Sequence, residues 1–398
     1  MSRIIRYGLV ISSIIICICA ACGCSFQSDN AVASVPPFDG KDYLVISSMT
    51  AAGENPKEYA RNYEPIKNFD TKLSVPTYIS KFGDYWFIVD CYHNRIIYSD
   101  NLGAPLTDWY IMTSDVTQPH TIASNGKVYM CDDTENNRVV IFEMVDGKFI
   151  NTQTIYNIGN RPHYTVYDKA TDTFYVWSST TGELYCIRQE ADSSRMYITD
   201  IRKISILDGI YVRSFSIIDG DIYFVSGVSD EGLPAKIYCC DLDTLEVKKS
   251  YDVPDNLAGM VQITKIDDYY YFSTSTDLSG NQNVATIVRA HDIDDLKSGN
   301  YEDIYSKYFV GGGTPYYISN VDDTYFLTEH RLTGPPDLEL QGKGQQNRRC
   351  PDHLLTYRPP SAMMVWRLRG GGHDYLQIFF MVWRSACVIS LELYLAFS

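Results

Sequence analysis

An all-β chain folded as a β-propeller is predicted by three observations. Prolines 76, 119 and 162 recur at an interval of 43 residues, each followed by a strand-like run. Six units between Val75 and Thr328 share one order: a short apolar segment, a turn holding Asp, Gly or Asn, then an aromatic β-rich strand. Hardly any 3.6-residue apolar period occurs. Units of about four short strands at this period read as blades, so six blades of antiparallel strands are expected, the last one incomplete. Seven blades are the alternative, because Tyr43 lies almost one period before Tyr85.

Residues 1–24 contain Arg3, Arg6 and an apolar run from Leu9 to Ile18, with no acid. This is the pattern of an export signal; a single transmembrane anchor is the alternative, for which the run is short. The segment closes on Cys19-Ala20-Ala21-Cys22, which resembles the lipobox of bacterial lipoproteins. That resemblance implies lipidation of Cys22 and a place on the extracytoplasmic face of the bacterial envelope membrane, although Cys19 stands where leucine is usual. Residues 25–40, rich in Ser, Asn, Asp, Pro and Gly, then read as a flexible tether.

Residues 41–330 carry the repeat. Tyr43–Ser48 is a spare strand before the first unit, expected to complete the last blade. In the first unit Asp90, Asn94 and Arg95 fall at the places of Asp133, Asn137 and Arg138 in the second. This D-x-x-x-N-R stretch resembles NHL-type propeller repeats, specifically in those two units. The residues themselves explain it. Asp can accept bonds from turn backbone, Asn tolerates the left-handed conformation, and Arg can pair with Asp across the hairpin. All six are therefore read as structural.

Residues 331–398 lose the repeat's texture and turn basic. We expect a tail foreign to the propeller, disordered or frameshifted; a genuine C-terminal module is the alternative.

Charge excludes one class of function. The 398 residues carry a net −15, and residues 25–330 alone carry −20. Nucleic acid is excluded as a partner, since phosphate binding needs clustered Lys and Arg. Five cysteines fall in the body (91, 131, 186, 239 and 240) without zinc-site spacing. They are expected as buried thiols, with a Cys91–Cys131 bridge as the alternative.

No P-loop, GxSxG or HExxH motif occurs. Candidate ligand-binding residues come from aligning the units: Thr77, His120, His163, Ser214, Gln262 and Tyr316, with Arg213 replacing Ser214 if the register slips. Innermost strands line a propeller's channel, so these residues should meet near one mouth. His120 and His163 are also candidates for a divalent metal.

Three readings follow. The first is a binding module for a protein, peptide or carbohydrate, to which the 32 tyrosines lend flat contact surfaces. The second is a metal-dependent hydrolase similar to six-bladed gluconolactonase-type propellers. Those hold their metal with Glu, Asn and Asp, a set not matched residue by residue here. The third is a structural part of an envelope complex. The reading leans away from an enzyme.

Overall fold

The computed structural model describes residues 35–227, 233–305, 313–322 and 324–330, and the backbone of strands within 366–396. Cys22, the signal and most of the expected tether lie outside the described residues, as do the side chains after 330. The chain divides into two compact units, 1–36 and 37–398. The second is an all-β propeller.

Its first blade pairs Pro76–Phe82, Tyr85–Asp90, Arg95–Ser99 and Tyr110–Thr113 in antiparallel order. Blade 2 spans Ile122–Tyr156, blade 3 Pro162–Lys203, blade 4 Val212–Asp252 and blade 5 Met260–Asp303. The sixth position is filled by the hairpin Thr314–Val321 and Thr324–His330, onto which strands from 366–396 pair. Five blades are thus built from consecutive strands, where six were expected, and seven are not matched either. The sixth unit supplies only two strands before residue 331.

Packing explains why the ring closes on a hairpin. Apolar side chains of adjacent sheets interdigitate: Val128, Met130 and Ile141 of blade 2 pack with Phe174, Val176 and Ile187 of blade 3. Val321 and Phe326 of the hairpin do the same with Ile79, Ile88 and Ile97 of blade 1. Each such seam removes whole aliphatic side chains from water, at about 1.5–3 kcal/mol apiece.

The D-x-x-x-N-R residues act as clasps. Asp90 Oδ1 accepts from Ser74 N (2.6 Å), and its other oxygen takes Arg95 Nε and Nη2 (2.9 and 2.7 Å). Asp133 repeats this with Thr117 N (2.7 Å) and Arg138 Nε (2.6 Å). Asn94 and Asn137 sit at φ 52° and 51°. Their Oδ1 atoms accept from Gln118 N and Arg161 N of the following blade, at 2.9 and 2.8 Å.

Residues 38–67 form a strap. Val45–Ile46 pairs with the outer strand of blade 3, Ser48–Met49 with that of blade 2, and Ile66–Lys67 with that of blade 1. The spare strand therefore covers the edges of blades 3 and 2 and does not complete the last blade. Buried Gln153 fixes its register, accepting from Ser47 Oγ and from Met196 N (2.9 Å) across the seam between these blades. Two short helices, Ala51–Glu54 and Pro56–Asn62, cross blade 2; Thr50 caps the first through Gly53 N (2.9 Å). Lys148 of blade 2 donates to Ala60 O (2.9 Å) and Tyr63 O (2.5 Å) at the end of the second. No helix among the described residues is long and apolar enough to cross a membrane.

Candidate functional site

Five of the six inner strands carry a bulge near their first residues. The pairing slips between Pro76 and Tyr78, Pro162 and Tyr164, Val212 and Phe215, Met260 and Gln262, and Pro315 and Ile318. A bulge sets side chains out of alternation and re-aims them. The re-aimed residues are Thr77, His163, Arg213 with Ser214, Val261, and Tyr316 with Tyr317. The alignment placed Gln262 in this ring; the bulged residue there is Val261.

The ring then divides by role. Thr77 Oγ1 donates to His120 O (2.8 Å) and Ser214 Oγ to Val261 O (2.6 Å). Gln262 donates to Tyr164 Oη (3.0 Å) and accepts from Ile318 N (2.6 Å). These three, all buried, spend their side chains on tying inner strands of different blades together. His120, His163, Arg213 and Tyr316 do come together.

The two imidazoles stack at 3.7 Å between centroids and 28° between planes. Their protonation follows from their partners. Thr134 Oγ1 gives its proton to Pro162 O (2.7 Å), so His120 Nδ1 donates to that hydroxyl (3.0 Å). His163 Nδ1 donates to Arg213 O (2.9 Å), leaving Nε2 to accept from Tyr211 Oη (2.8 Å). Burial pushes the His120 pKa down to about 3 and that of His163 well below the ordinary value. The other imidazole and the Arg213 and Arg161 cations push His163 the same way. Both rings are thus neutral at pH 7.

This pair does not fit the expected divalent metal. Lone pairs lie in the ring planes, and two stacked rings send them side by side without converging on one point. His163 Nε2 is also occupied by the Tyr211 proton. Among the described residues no three His, Cys, Asp or Glu side chains converge to hold an ion.

Asp132 stands beneath the pair, fully buried. It accepts from His120 N (2.7 Å) and from Thr121 N and Oγ1 (2.8 and 2.5 Å), and burial raises its pKa to about 7. Cys91 lies 3.9 Å from His120 Nε2, with its thiol pKa pushed up by burial. Cys91 and Cys131 are both free, so the alternative bridge is not formed.

Below the imidazoles the axis is filled. Tyr164 meets Tyr317 at 4.9 Å and Phe215 at 5.5 Å, and Tyr78 closes on Tyr317 at 6.4 Å. Only the rim is partly exposed, through Arg161, Tyr211 and Arg213. Arg213 lies over the Tyr211 ring at 5.2 Å, and Arg161 pairs with Glu135. Sequence reading missed Tyr211, Arg161, Thr134 and Asp132. Arg161 carried a signal: it is the residue before a repeated proline, and like Val75 and Gln118 it adopts positive φ. Tyr211 carried none.

No family model matches the chain, and no curated protein matches it either. Solved structures are similar at low identity. A 6-phosphogluconolactonase candidate of Bacteroides fragilis is 12% identical over 91% of this chain and 94% of its own, with a TM-score of 0.48. The hydrazine synthase of Kuenenia stuttgartiensis is 14% identical over 67% and 77%, at 0.46. A streptogramin B lyase is 12% identical over 66% and 93%, at 0.40.

Proposed function

We propose that this chain is a lipid-anchored, extracytoplasmic propeller that binds a ligand at the axial mouth rimmed by Arg161, Tyr211 and Arg213. One observation carries the reading: the aromatic plug of Tyr78, Tyr164, Phe215 and Tyr317 closes the axis directly under that rim. A closed-bottomed dish with a polar rim and an apolar floor suits recognition of a small or terminal group of a peptide or carbohydrate. The neutral imidazoles contribute fixed dipoles and a rigid floor. Among the described residues no set of side chains converges for metal-dependent hydrolysis, so binding is the function we advance.

The test is capture on glycan and peptide arrays by the full chain, compared with Tyr211→Ala at the rim and Tyr59→Ala on the outer strap. Tyr211→Ala should abolish capture, with Tyr59→Ala unchanged. Equal capture by all three would sink the mouth as the site.

A further inference from the structure

Charge compensation separates one arginine from the others. Seven described arginines are buried or partly buried in the propeller. Arg95 pairs with Asp90 and Asp70, Arg138 with Asp133 and Asp115, Arg161 with Glu135, Arg188 with Asp172, Arg202 with Asp200 and Arg289 with Glu302. Arg213 alone has no carboxylate among the described residues. Its guanidinium reaches the Met260 carbonyl at 3.3 Å and the Tyr211 ring at 5.2 Å. A partly desolvated cation without a counter-charge is costly, and the stretch from 25 to 330 holds 44 acidic side chains from which a partner was available.

Position adds to the contrast. Arg213 is a bulged residue of blade 4, so the backbone irregularity aims it at the axis. The site beside it presents neutral rings. His163 Nδ1 and Tyr211 Oη donate to Arg213 O and His163 Nε2, so both donors are already used within the floor. The guanidinium fork is then the one uncompensated charge of the rim among the described residues.

We infer that the mouth takes an oxyanion, a carboxylate or phosphate group of the ligand, bound through the guanidinium of Arg213 with the Tyr211 ring as its flanking wall. The inference rests on the mouth being the binding site and narrows what enters it. A planar, forked donor suits the two oxygens of such a group. Residues 25–330 carry a net −20, so the recognition of an anion has to be local.

The experiment uses the full chain and the imidazole proton signals of His120 and His163 as reporters of the mouth. Glucuronate, inorganic phosphate and glucose are the probes. Glucuronate or phosphate should shift both signals in a saturable way, the stronger of the two identifying the oxyanion, and glucose should not. Arg213→Gln should weaken that binding by at least tenfold, Arg213→Lys by less, and Arg195→Gln, on the exposed edge of blade 3, not at all. Thermal midpoints of the variants check that each is folded. Shifts of equal size with glucose, kept in Arg213→Gln, overturn the oxyanion and leave the mouth as the site. No shift with any probe overturns the oxyanion, while array capture lost in Tyr211→Ala would still support the mouth. Loss of neither array capture in Tyr211→Ala nor probe binding in Arg213→Gln overturns both.

Discussion

His120, His163 and Asp132 titrate against one another, and the signs can be worked out. Each histidine is depressed in the fold, so its contribution to stability is present above the ordinary pKa of 6.5 and is lost as pH falls below it, for His120 towards about 3. Asp132 is raised, so its contribution is present below the ordinary 3.8 and is lost as pH rises through 7. Between about pH 4 and 6.5 the unfolded chain gains two imidazole protons and loses one carboxyl proton. Stability should therefore rise with pH across this range, because two depressed imidazoles outweigh one raised carboxyl. His163→Gln should reduce that slope and Asp132→Asn should steepen it. Urea midpoints at several pH values between 4 and 6.5 measure all three, and an unchanged slope in His163→Gln would contradict the assignment. None of this was readable in sequence for Asp132, which follows a cysteine within a strand; its role depends on the His120 and Thr121 N–H groups, which lie just before Ile122–Ser124 and turn towards it.

The clasps between blades were more legible. Asp, Asn and Arg at fixed spacing already implied a capped left-handed turn, because few residue types can play those parts. What spacing could not show is that Asn137 reaches across to Arg161 N, since that contact belongs to the next blade. Its loss can be separated from loss of the turn. Asn137→Ala should cost about 1–2 kcal/mol, losing both the bond and the tolerance for φ 51°; Asn137→Gly should cost roughly half of that. Equal effects in denaturant titrations would show that the bond carries all the weight and the left-handed turn none. The inner-strand bulges were half legible. Aligning on the prolines found Thr77, His163 and Tyr316, but where no proline marks the unit, the alignment chose Gln262 and missed Val261.

For the whole molecule, the propeller was legible, but the blade count and the closure were not: six blades were expected and five are built from consecutive strands. Which strand pairs with which edge is set by packing between distant segments, and Tyr43–Ser48 carries no mark of its destination. Gly53 offers a test of the strap. A Cβ there would stand 2.0 Å from the Thr152 carbonyl oxygen, backbone that cannot yield. Gly53→Ala should lower the thermal midpoint by several degrees and raise hydrogen exchange across 45–67 before it does so in blades 4 and 5. Uniform exchange would mean that the strap is no separate unit. Anchoring is tested apart from the fold: Cys22→Ser should end incorporation of labelled palmitate and release the chain from the membrane fraction.

The strap also sets a timetable for biogenesis. It visits blades 3, 2 and 1 in that order, and its first contact joins Phe38 to Glu190. At 5–20 residues per second, the partner of Phe38 is made roughly 10–30 s after Phe38 itself. For that interval the segment holding Tyr43, Leu44, Val45 and Ile46 has no edge to pair with, and its apolar side chains are open to any other chain. A nascent copy therefore depends on whatever shields this stretch until the outer strand of blade 3 has been made.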